Sequence, residues 1–468
     1  MGNGDRALGN RIRAVRRRAN LTQAQLAQRL GISASYLNLI EHGNRALPAG
    51  VLIELARQLD VDLASLGPES DLQLECDVRE VLSDTLFDEH GLVAADVKEL
   101  VQASPLVARA VITLYRAYRE ARATPAREPD DAAPAVPGVS TEEVSDFVQR
   151  RSNWFPELEE AATGLWRAAD LDTNDLGPRL KRWLADTLGV TIRFEPAGAS
   201  AFTRRYDPER RELMVSEVLP PRSRHFELAH TIARLQHGDL LDTLARDERL
   251  TTDESRALAR VVLANWFAGA VLLPYDRLLR AAQEVRYDVE LLGHRFRVSW
   301  EQVCHRLTTL RRPGAEGVPL HLIRVDVAGN ISKRFSASGI QFPRFSGVCA
   351  RWNVFQAFQT PGMVRTQVSE MPDGTRYFCF SRTVRREAGG YHAPNVLYAI
   401  GLGCRVDRAR ELVYADGVDL EHSFTPIGTS CRTCRRTDCA QRVCPAADHP
   451  LALDPNVRGV SLFAPPSR

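Results

Sequence analysis

The sequence is poor in lysine, in long apolar runs and in net charge. Only 3 of its 61 basic residues are lysine, and no phosphate-binding loop stands out, so the sequence assigns no residue to the phosphates of a ligand. The longest apolar run, VVLANWFAGAVLLP at residues 261–274, includes Asn265 and is too short to cross a bilayer. We therefore expect a buried helix at this run and no membrane contact.

An apolar segment behind a basic start is also lacking, since the chain begins MGNGDRALGN. This predicts no signal peptide and a cytoplasmic protein. The 468 residues suggest about three domains at roughly 100–200 residues each. Of the nine cysteines, five follow residue 400. In a chain without an export signal, that clustering favours metal binding over a disulfide scaffold.

Charge is unevenly distributed although the formal net charge is only +2. Residues 1–20 hold six arginines against one acidic residue, Asp5, which gives this segment a charge of +5. The arginines are Arg6, Arg11, Arg13, Arg16, Arg17 and Arg18. A basic face of this kind suits phosphate contacts, and a merely solvated face is the alternative.

Two short helices joined by a glycine turn are predicted in NLTQAQLAQRLGISASYLNLIEHGNRALP, residues 20–48. Thr22 and Gln25 form a capping-box pattern, Gly31 supplies the turn, and Ser33 caps the second helix. In that helix Leu37 and Ile40 are expected to point inward. The residues expected to point outward are Ser35, Tyr36, Asn38 and Glu41. This arrangement predicts a helix-turn-helix inside an all-α bundle.

The stretch closely resembles the Cro/C1 and Xre family of DNA-binding domains over residues 8–66. The resemblance implies that Gln23 contacts a phosphate and that Asn44 and Arg45 contact the flanking phosphates. The residues implied to face bases or backbone are Ser33, Ser35, Tyr36 and Asn38. A domain of this size is expected to act as a homodimer on operator DNA, reading two half-sites. A helical bundle that binds only protein is the alternative.

A candidate dimer helix follows, with Ser104 as N-cap and Pro105 in the first turn. Its apolar stripe consists of Val107, Val111, Leu114 and Tyr118. The stripe predicts either self-association or packing against the same chain. The segment TPAREPDDAAPAVPGVS at residues 124–140 has no periodicity and is typical of a linker.

The segment FELAHTIARLQH at residues 226–237 is an incomplete zinc-peptidase motif of the H-E-x-x-H type. His230 holds the first position, Thr231 replaces the catalytic Glu, and Arg234 replaces the second His. The region resembles the ImmA/IrrE metallopeptidase domain, and alignment of its second helix places Leu263 at the acidic ligand. We therefore expect a degenerate zincin-like α/β domain that is not an enzyme. The less favoured alternative is an active peptidase.

A cleft in which Arg234 replaces the metal would suit an anionic ligand, because a guanidinium offers a planar fork of donors. His230 and Arg234 are the candidate cleft residues. The alternative is that Arg234 pairs with a carboxylate of its own domain.

The C-terminal third is predicted to contain strands, with a hairpin signal at Asp373 and Gly374. It ends in SCRTCRRTDCAQRVCP, where Cys431, Cys434, Cys439 and Cys444 follow the pattern C-x2-C-x4-C-x4-C. Such spacing is typical of a metal site. Four thiolates would suit zinc, whereas Cys404 in a glycine-flanked loop favours an iron-sulfur cluster. The other cysteines, Cys76, Cys304, Cys349 and Cys379, are interpreted as packed thiols.

The whole chain resembles the short-chain fatty acyl transcriptional regulators of actinobacteria and proteobacteria. The motifs that carry the resemblance are SYLNLIEHGNRALP, FELAHTIARL, CARWNVFQAF, PDGTRYF, GLGC and PIGTSCRTCRRTDCAQR. It implies a DNA-binding regulator of short-chain fatty acid metabolism that senses acyl-CoA and carries a [4Fe-4S] cluster. The implied cluster ligands are Cys404, Cys431, Cys434 and Cys439, with Cys444 as an alternative fourth ligand. A zinc-stabilised regulator without a small-molecule effector is the second hypothesis.

The predicted fold class is multidomain α+β. We expect an all-α helix-turn-helix bundle at residues 1–66, a helical connector and linker at 67–140, and a degenerate ImmA/IrrE-like domain at 141–312. A mixed domain with metal-binding cysteines completes the chain at 313–468.

Overall fold

The computed structural model describes residues 8, 9, 12, 13, 15, 16, 19, 21–59, 69–90, 93–123, 137–196, 202–386, 396–446 and 463. The chain forms two compact units, and neither is continuous in sequence. The first comprises Met1–Pro129, Gln341–Val348 and Gly428–Arg468, and the second comprises Asp130–Ile340 and Cys349–Ile427. The multidomain α+β class is confirmed, although the C-terminal third contributes to both units.

The first unit begins with the predicted helix-turn-helix. Its helices are α1 (Gln23–Arg29), α2 (Ala34–Glu41) and α3 (Ala49–Leu59). The capping box of Thr22 and Gln25 is confirmed, and Ser33 accepts a 3.1 Å hydrogen bond from the backbone N–H of Tyr36. Gly31 has φ +66°, the left-handed conformation that this tight turn requires. The small core that joins the helices contains Ile12, Leu26, Leu37, Ile40 and Leu55.

The connector consists of α4 (Glu69–Leu82), a 3-10 turn (Thr85–His90), α5 (Ala94–Ala103) and α6 (Pro105–Ala123). Residues 341–348 pack against it within the same unit. Glu80 on α4 accepts hydrogen bonds from the backbone N–H groups of Arg344 at 2.7 Å and Phe345 at 2.9 Å. Phe345 also meets Tyr115 of α6 edge-on, with ring centroids 5.3 Å apart.

The predicted stripe on α6 packs on the connector only in part, through Val111 and Tyr118. Ala108, Ile112 and Tyr115 are buried there, whereas Val107 is 51% exposed and Leu114 is 72% exposed. Among the residues that the structure describes, none buries Val107 and Leu114 to the same extent. Residues 124–136 of the predicted linker lie outside the described residues, and its last four residues instead begin the next helix.

The helical part of the second unit surrounds a small sheet. Its elements are α7 (Pro137–Arg150), α8 (Pro156–Ala168), α9 (Leu176–Asp186), β1 (Thr191–Glu195), β2 (Arg204–Asp207), β3 (Glu212–Ser216), α10 (Pro221–Gln236), α11 (Gly238–Leu244), α12 (Asp253–Leu272), α13 (Tyr275–Glu284), α14 (Val289–Phe296) and α15 (Trp300–Leu307). The strand order is β1-β3-β2, with β1 parallel and β2 antiparallel to β3.

A six-stranded sheet follows in the order β5-β4-β8-β7-β6-β9. Its strands are β4 (His321–Asp326), β5 (Ile331–Ser336), β6 (Arg365–Glu370), β7 (Arg376–Arg386), β8 (Val396–Arg405) and β9 (Thr425–Pro426), with a short helix α16 (Asn353–Gln356). The hairpin signal is confirmed, because Gly374 has φ +84° between β6 and β7. The loop expected around Cys404 is wrong, since this residue lies inside strand β8 and is fully buried.

The run at residues 261–274 is the buried helix that its composition predicted. Leu263, Phe267 and Val271 of α12 have no exposed surface. They share one hydrophobic core with residues of the six-stranded sheet, such as Phe378 and Leu402. In the part of the chain that the structure describes, no single helix has the length and apolarity to cross a membrane; α12 and α13, joined at a 64° bend, meet that test only as a pair.

Arg306 on α15 lies at the centre of these helices. Its side chain is 1% exposed and donates to both carboxylate oxygens of Glu159 on α8, at 2.7 and 2.8 Å. It also donates to the carbonyl of Leu273 at 2.9 Å and lies over the ring of Trp266, with 5.1 Å to the ring centroid. Three helices are thereby fixed around one cation.

Replacing Glu159→Ala should destabilise the second unit by about 3–5 kcal/mol, because the guanidinium of Arg306 would stay buried without its carboxylate. Chemical denaturation of the full chain measures this. The matched control is Glu160→Ala, which removes an exposed neighbouring carboxylate and should change the stability by about 0.5 kcal/mol or less. Equal losses for both variants would contradict the assigned role of this ion pair.

Candidate functional site

The outward face of α2 carries the groups that were predicted to meet DNA. Ser33, Ser35 and Asn38 are exposed, and Tyr36 is half-buried. The face also carries Leu39, which is 41% exposed and which sequence reasoning missed. A large apolar side chain beside hydroxyl and amide groups is able to contact the methyl group of thymine. The sequence could have indicated this residue, because Leu39 directly follows Asn38 and lies on the helix face opposite the buried Leu37.

A buried hydrogen-bond network holds α2 against α1. Arg16 donates to both carboxylate oxygens of Glu41, at 2.6 and 2.9 Å. Gln23 donates to Glu41 at 2.8 Å and to Asn38 at 3.2 Å. The expectation that Glu41 points outward is therefore wrong, because its carboxylate neutralises a buried guanidinium. The pKa of Glu41, which burial alone would raise, is held below its usual value by its bonds to Arg16 and Gln23.

The structure removes one of the six arginines of the basic N-terminal segment from the candidates for phosphate contact. Arg16 is buried and its charge is matched by Glu41, so it is unavailable to DNA. Arg6, Arg11, Arg17 and Arg18 lie outside the described residues.

Arg45 and Asn44, predicted to flank the helix-turn-helix, are both exposed. Arg45 stacks over the ring of Tyr36 with 5.7 Å to the centroid. Ring and guanidinium thus form a polar and cationic edge at the C-terminal side of α2.

The incomplete peptidase motif lies on α10, where His230 is buried beside an arginine that the sequence did not single out. The guanidinium of Arg204, on β2, contacts Nδ1 of His230 and lies 3.4 Å from the carboxylate of Glu227. Burial, together with the charges of Arg204 and Arg234, lowers the pKa of His230 to about 3. A cation therefore already lies against the remaining histidine of the motif.

The other motif positions offer no metal ligand. The hydroxyl of Thr231 donates to the carbonyl of Glu227 at 2.8 Å, and Leu263 is fully buried in the core. Arg234 is exposed. Neither His230 nor Arg234 lines the large cavity of this unit.

That cavity lies within the second unit and has a volume of about 1400 Å³. Helices α7, α10 and α12 supply an apolar wall that includes Val144, Val148, Phe226, Leu258, Val262 and Leu272. Strands β4, β5 and β7 supply cationic side chains, which are Arg324, Lys333, Arg334, Arg382, Arg385 and Arg386. The cavity is large for a ligand pocket and combines an apolar wall with a strongly basic one.

Some of these cations have acidic partners inside the cavity. Glu301 lies 2.7 Å from Arg324 and 3.5 Å from Lys333. Burial alone would raise the pKa of Glu301, but hydrogen bonding to His305 and the charges of Lys333 and Arg324 hold it below its usual value.

Arg385 and Arg386 on β7 differ from these paired cations. Both are exposed, and among the described residues neither forms an ion pair. An anionic ligand would therefore meet two cations whose charge no described carboxylate neutralises.

The four closely spaced cysteines lie in residues 428–446 of the first unit, here called the cysteine segment. Cys434 is buried, and Cys431, Cys439 and Cys444 are half-buried. A Cβ added to Gly428 would come within 2.7 Å of the sulfur of Cys434, so only glycine fits against this thiol. The donor set and this close backbone approach fit a thiolate-held centre. No three metal-binding side chains converge in the described parts of the chain.

Cys404 is in the second unit, where burial raises the pKa of its thiol. The neighbouring strand places the sulfur of Cys379 3.5 Å from Nε2 of His321. Cys304 and Cys379 are fully packed thiols, as interpreted from the sequence, and Cys349 is also buried.

Comparison with known protein families matches three segments of the chain. Residues 12–66 match a helix-turn-helix family, residues 185–308 match the IrrE N-terminal-like domain, and residues 309–463 match the family described as short-chain fatty acyl coenzyme A regulator, C-terminal.

Full-length relatives share the same order of parts. The chain is 40% identical over 465 residues to the HTH-type transcriptional regulator RamB of Mycobacterium tuberculosis, covering 97% of this chain and 98% of the relative. It is 38% identical to PrpR of the same organism, covering 96% and 93%. The Propionyl-CoA carboxylase regulator of Cereibacter sphaeroides is 39% identical, with 97% of both chains covered. The chain belongs to the RamB/PrpR family of transcriptional regulators.

A solved structure supports the family fold. A Mycobacterium tuberculosis transcriptional regulator of 39% identity superposes with a TM-score of 0.67 and covers 69% of this chain and 99% of its own. As a RamB/PrpR-family protein, the chain is a DNA-binding transcriptional regulator, and the predicted recognition is confirmed. These relatives are named as regulators rather than as peptidases.

Two substitutions should separate affinity from specificity on the DNA-reading face. Arg45→Ala should weaken binding to all duplexes and reduce the slope of log affinity against log salt by about one. Leu39→Ala should instead reduce the difference in binding free energy between specific and non-specific DNA by about 1–3 kcal/mol. This is the scale of one lost base-pair contact. Selection from a random duplex library, followed by titration at several salt concentrations, measures both effects.

The matched control is Leu291→Ala in the second unit, since this leucine is 40% exposed. It should leave both quantities unchanged. If the Leu39→Ala protein keeps wild-type specificity, Leu39 does not contribute to base recognition.

Proposed function

We propose that this regulator binds a short-chain acyl-CoA in the cavity of its second unit and thereby changes its affinity for operator DNA. The observation that carries the proposal is the cavity itself, in which an apolar wall faces strands with six cationic side chains. Coenzyme A carries three phosphate groups at one end of a long pantetheine arm, and a short-chain acyl-CoA has an apolar acyl group at the other end, so both kinds of wall suit it. A relative named for propionyl-CoA carboxylase supports regulation of propionyl-CoA or related metabolism.

Regulation requires that the ligand bind two arrangements of the protein unequally. A ligand that bound both arrangements with equal affinity would leave DNA binding unchanged. The effector proposal therefore predicts a change in operator affinity as well as binding of the ligand.

Propionyl-CoA or acetyl-CoA should raise the melting temperature of the protein and change its operator affinity. Replacing Arg385→Gln and Arg386→Gln together should weaken acyl-CoA binding about tenfold or more, because hydrogen bonds to charged groups contribute about 1.5–3 kcal/mol each. The control is Arg410→Gln, whose side chain is 82% exposed and does not line the cavity. Calorimetric titration measures the affinities. Absence of binding by any acyl-CoA would reject the effector and favour the second hypothesis, a regulator without one.

The protein is proposed to act as a homodimer that uses the exposed side of α6. Val107 and Leu114 expose most of their apolar surface there. Two half-sites one helical turn apart require two helix-turn-helix domains, one from each chain. Sedimentation of the operator complex should give two chains per duplex, and one chain per duplex would rule this out.

No peptidase activity is proposed for the IrrE-like domain. A catalytic zinc site keeps three protein ligands and an open position for water. Here the Thr231 hydroxyl donates to the carbonyl of Glu227, and Leu263 is buried in the core. The Arg204 guanidinium lies against His230. Proteolysis that depends on added metal and on His230 would contradict this assignment.

The cysteine segment is proposed to hold a metal centre through Cys431, Cys434 and Cys439, with Cys444 as the fourth ligand from the same unit. A [4Fe-4S] cluster is the first candidate and would supply a redox-active group; a structural zinc ion is the alternative.

Anaerobic purification should give a brown protein with about four irons and four sulfides per chain if the centre is a cluster. A colourless protein with about one zinc would replace the cluster by a structural site. Cys444→Ser should abolish the centre, whereas Cys404→Ser in the second unit should leave it intact. Metal-free protein under all conditions would reject both alternatives.

A further inference from the structure

The cysteine segment contains one buried charged side chain, that of Arg442. Its Nη1 donates to the backbone carbonyls of Cys431 at 2.8 Å and Cys444 at 3.3 Å. Its Nη2 donates to the carbonyls of Cys434 at 2.6 Å and Arg436 at 2.5 Å. One guanidinium thus contacts three of the four cysteines through their backbone.

The fourth cysteine is connected to the same residue. The backbone N–H of Arg442 donates to the carbonyl of Cys439 at 3.2 Å. Every cysteine of the segment therefore has its carbonyl oxygen hydrogen-bonded to Arg442.

An arginine is suited to this task for a physical reason. In its described residues, the cysteine segment contains turns and no helix or strand, so its carbonyls lack the partners that regular structure provides. The planar guanidinium directs several donors in fixed directions, whereas a lysine ammonium offers three donors on one nitrogen. One arginine side chain at the centre of the turns is able to donate hydrogen bonds to backbone carbonyls on several sides of it.

We propose that Arg442 is the positioning residue of the cysteine segment, holding the backbone of its four cysteines around one guanidinium before any metal is bound. The role of Arg442 in metal uptake rests on the metal centre proposed above. Its role in arranging the thiols of the metal-free chain is independent of that centre.

Other contacts attach the segment to the connector independently of Arg442. Arg432 donates to the carbonyl of Ser83, which directly follows α4, and Thr429 hydrogen-bonds to the thiol of Cys76 on α4. Loss of the Arg442 side chain should therefore loosen the turns that carry the thiols without detaching the segment.

The experiment compares metal-free, reduced full-length protein carrying Arg442→Gln, Arg442→Lys or the control Arg435→Gln. Arg435 is exposed in the same segment, so its replacement removes the same charge from its surface. Alkylation of each cysteine is followed by peptide mass spectrometry, and cobalt(II) uptake is titrated separately by its thiolate absorption.

Both Arg442 variants should raise the alkylation rates of Cys431, Cys434, Cys439 and Cys444 about tenfold or more, since half-buried thiols react through local opening. Cys304 and Cys379, buried in the second unit, should keep their wild-type rates. The Arg435→Gln protein should match the wild type. Cobalt affinity should fall about tenfold or more for the Arg442 variants only.

Three results would overturn the proposal. The first is a set of unchanged rates in both Arg442 variants. The second is a wild-type pattern for Arg442→Lys, which would assign the effect to charge instead of the hydrogen-bonding fork. The third is faster alkylation of Cys304 and Cys379 as well, which would assign Arg442 to global stability. A wild-type protein that binds no cobalt would count against the metal centre alone, because the alkylation rates still decide the role of Arg442.

Discussion

The buried guanidinium of Arg306 joins the helices around which the second unit is built. Its ion pair with Glu159 and its bond to the carbonyl of Leu273 connect α8, the end of α12, and α15. Those helices pack into the same core as the six-stranded sheet, and Arg306 itself lines the cavity. The shape of the proposed ligand site therefore depends on a charge that is stable in the interior only while its carboxylate partner remains.

Similar arrangements recur in a chain that has almost no lysine. Arg16 pairs with Glu41 beneath the DNA-reading helix, and Arg204 lies against His230 in the incomplete peptidase motif. Arg442 donates hydrogen bonds to the carbonyls of the cysteine segment. Each arrangement uses the several fixed donors of a guanidinium, which a lysine ammonium does not provide. In these places arginine acts as an interior connector rather than as a surface charge.

The two discontinuous units divide the functional elements in a way that consecutive segments would not. The first unit contains the DNA-reading helices, the connector and the cysteine segment, and the second contains the cavity and the IrrE-like elements. Because the C-terminal family segment at residues 309–463 contributes to both units, it supplies the cysteine segment to one unit and part of the cavity to the other. An effector and a metal centre would consequently act on different units of the same chain.

Local patterns in the sequence were sufficient for the helix-turn-helix, the buried helix at residues 261–274, the Asp373–Gly374 hairpin and the incomplete zinc motif. Each depends on residues a few positions apart, where capping, turn conformation or hydrophobic periodicity acts directly. The same patterns could not show that Glu41 is buried, that Arg204 reaches His230 or that Cys404 lies inside a strand. Nor could they show that strands β4, β5 and β7 direct their arginines into one cavity. Those features depend on partners tens of residues distant or more, and only the packing of the folded chain brings such partners together.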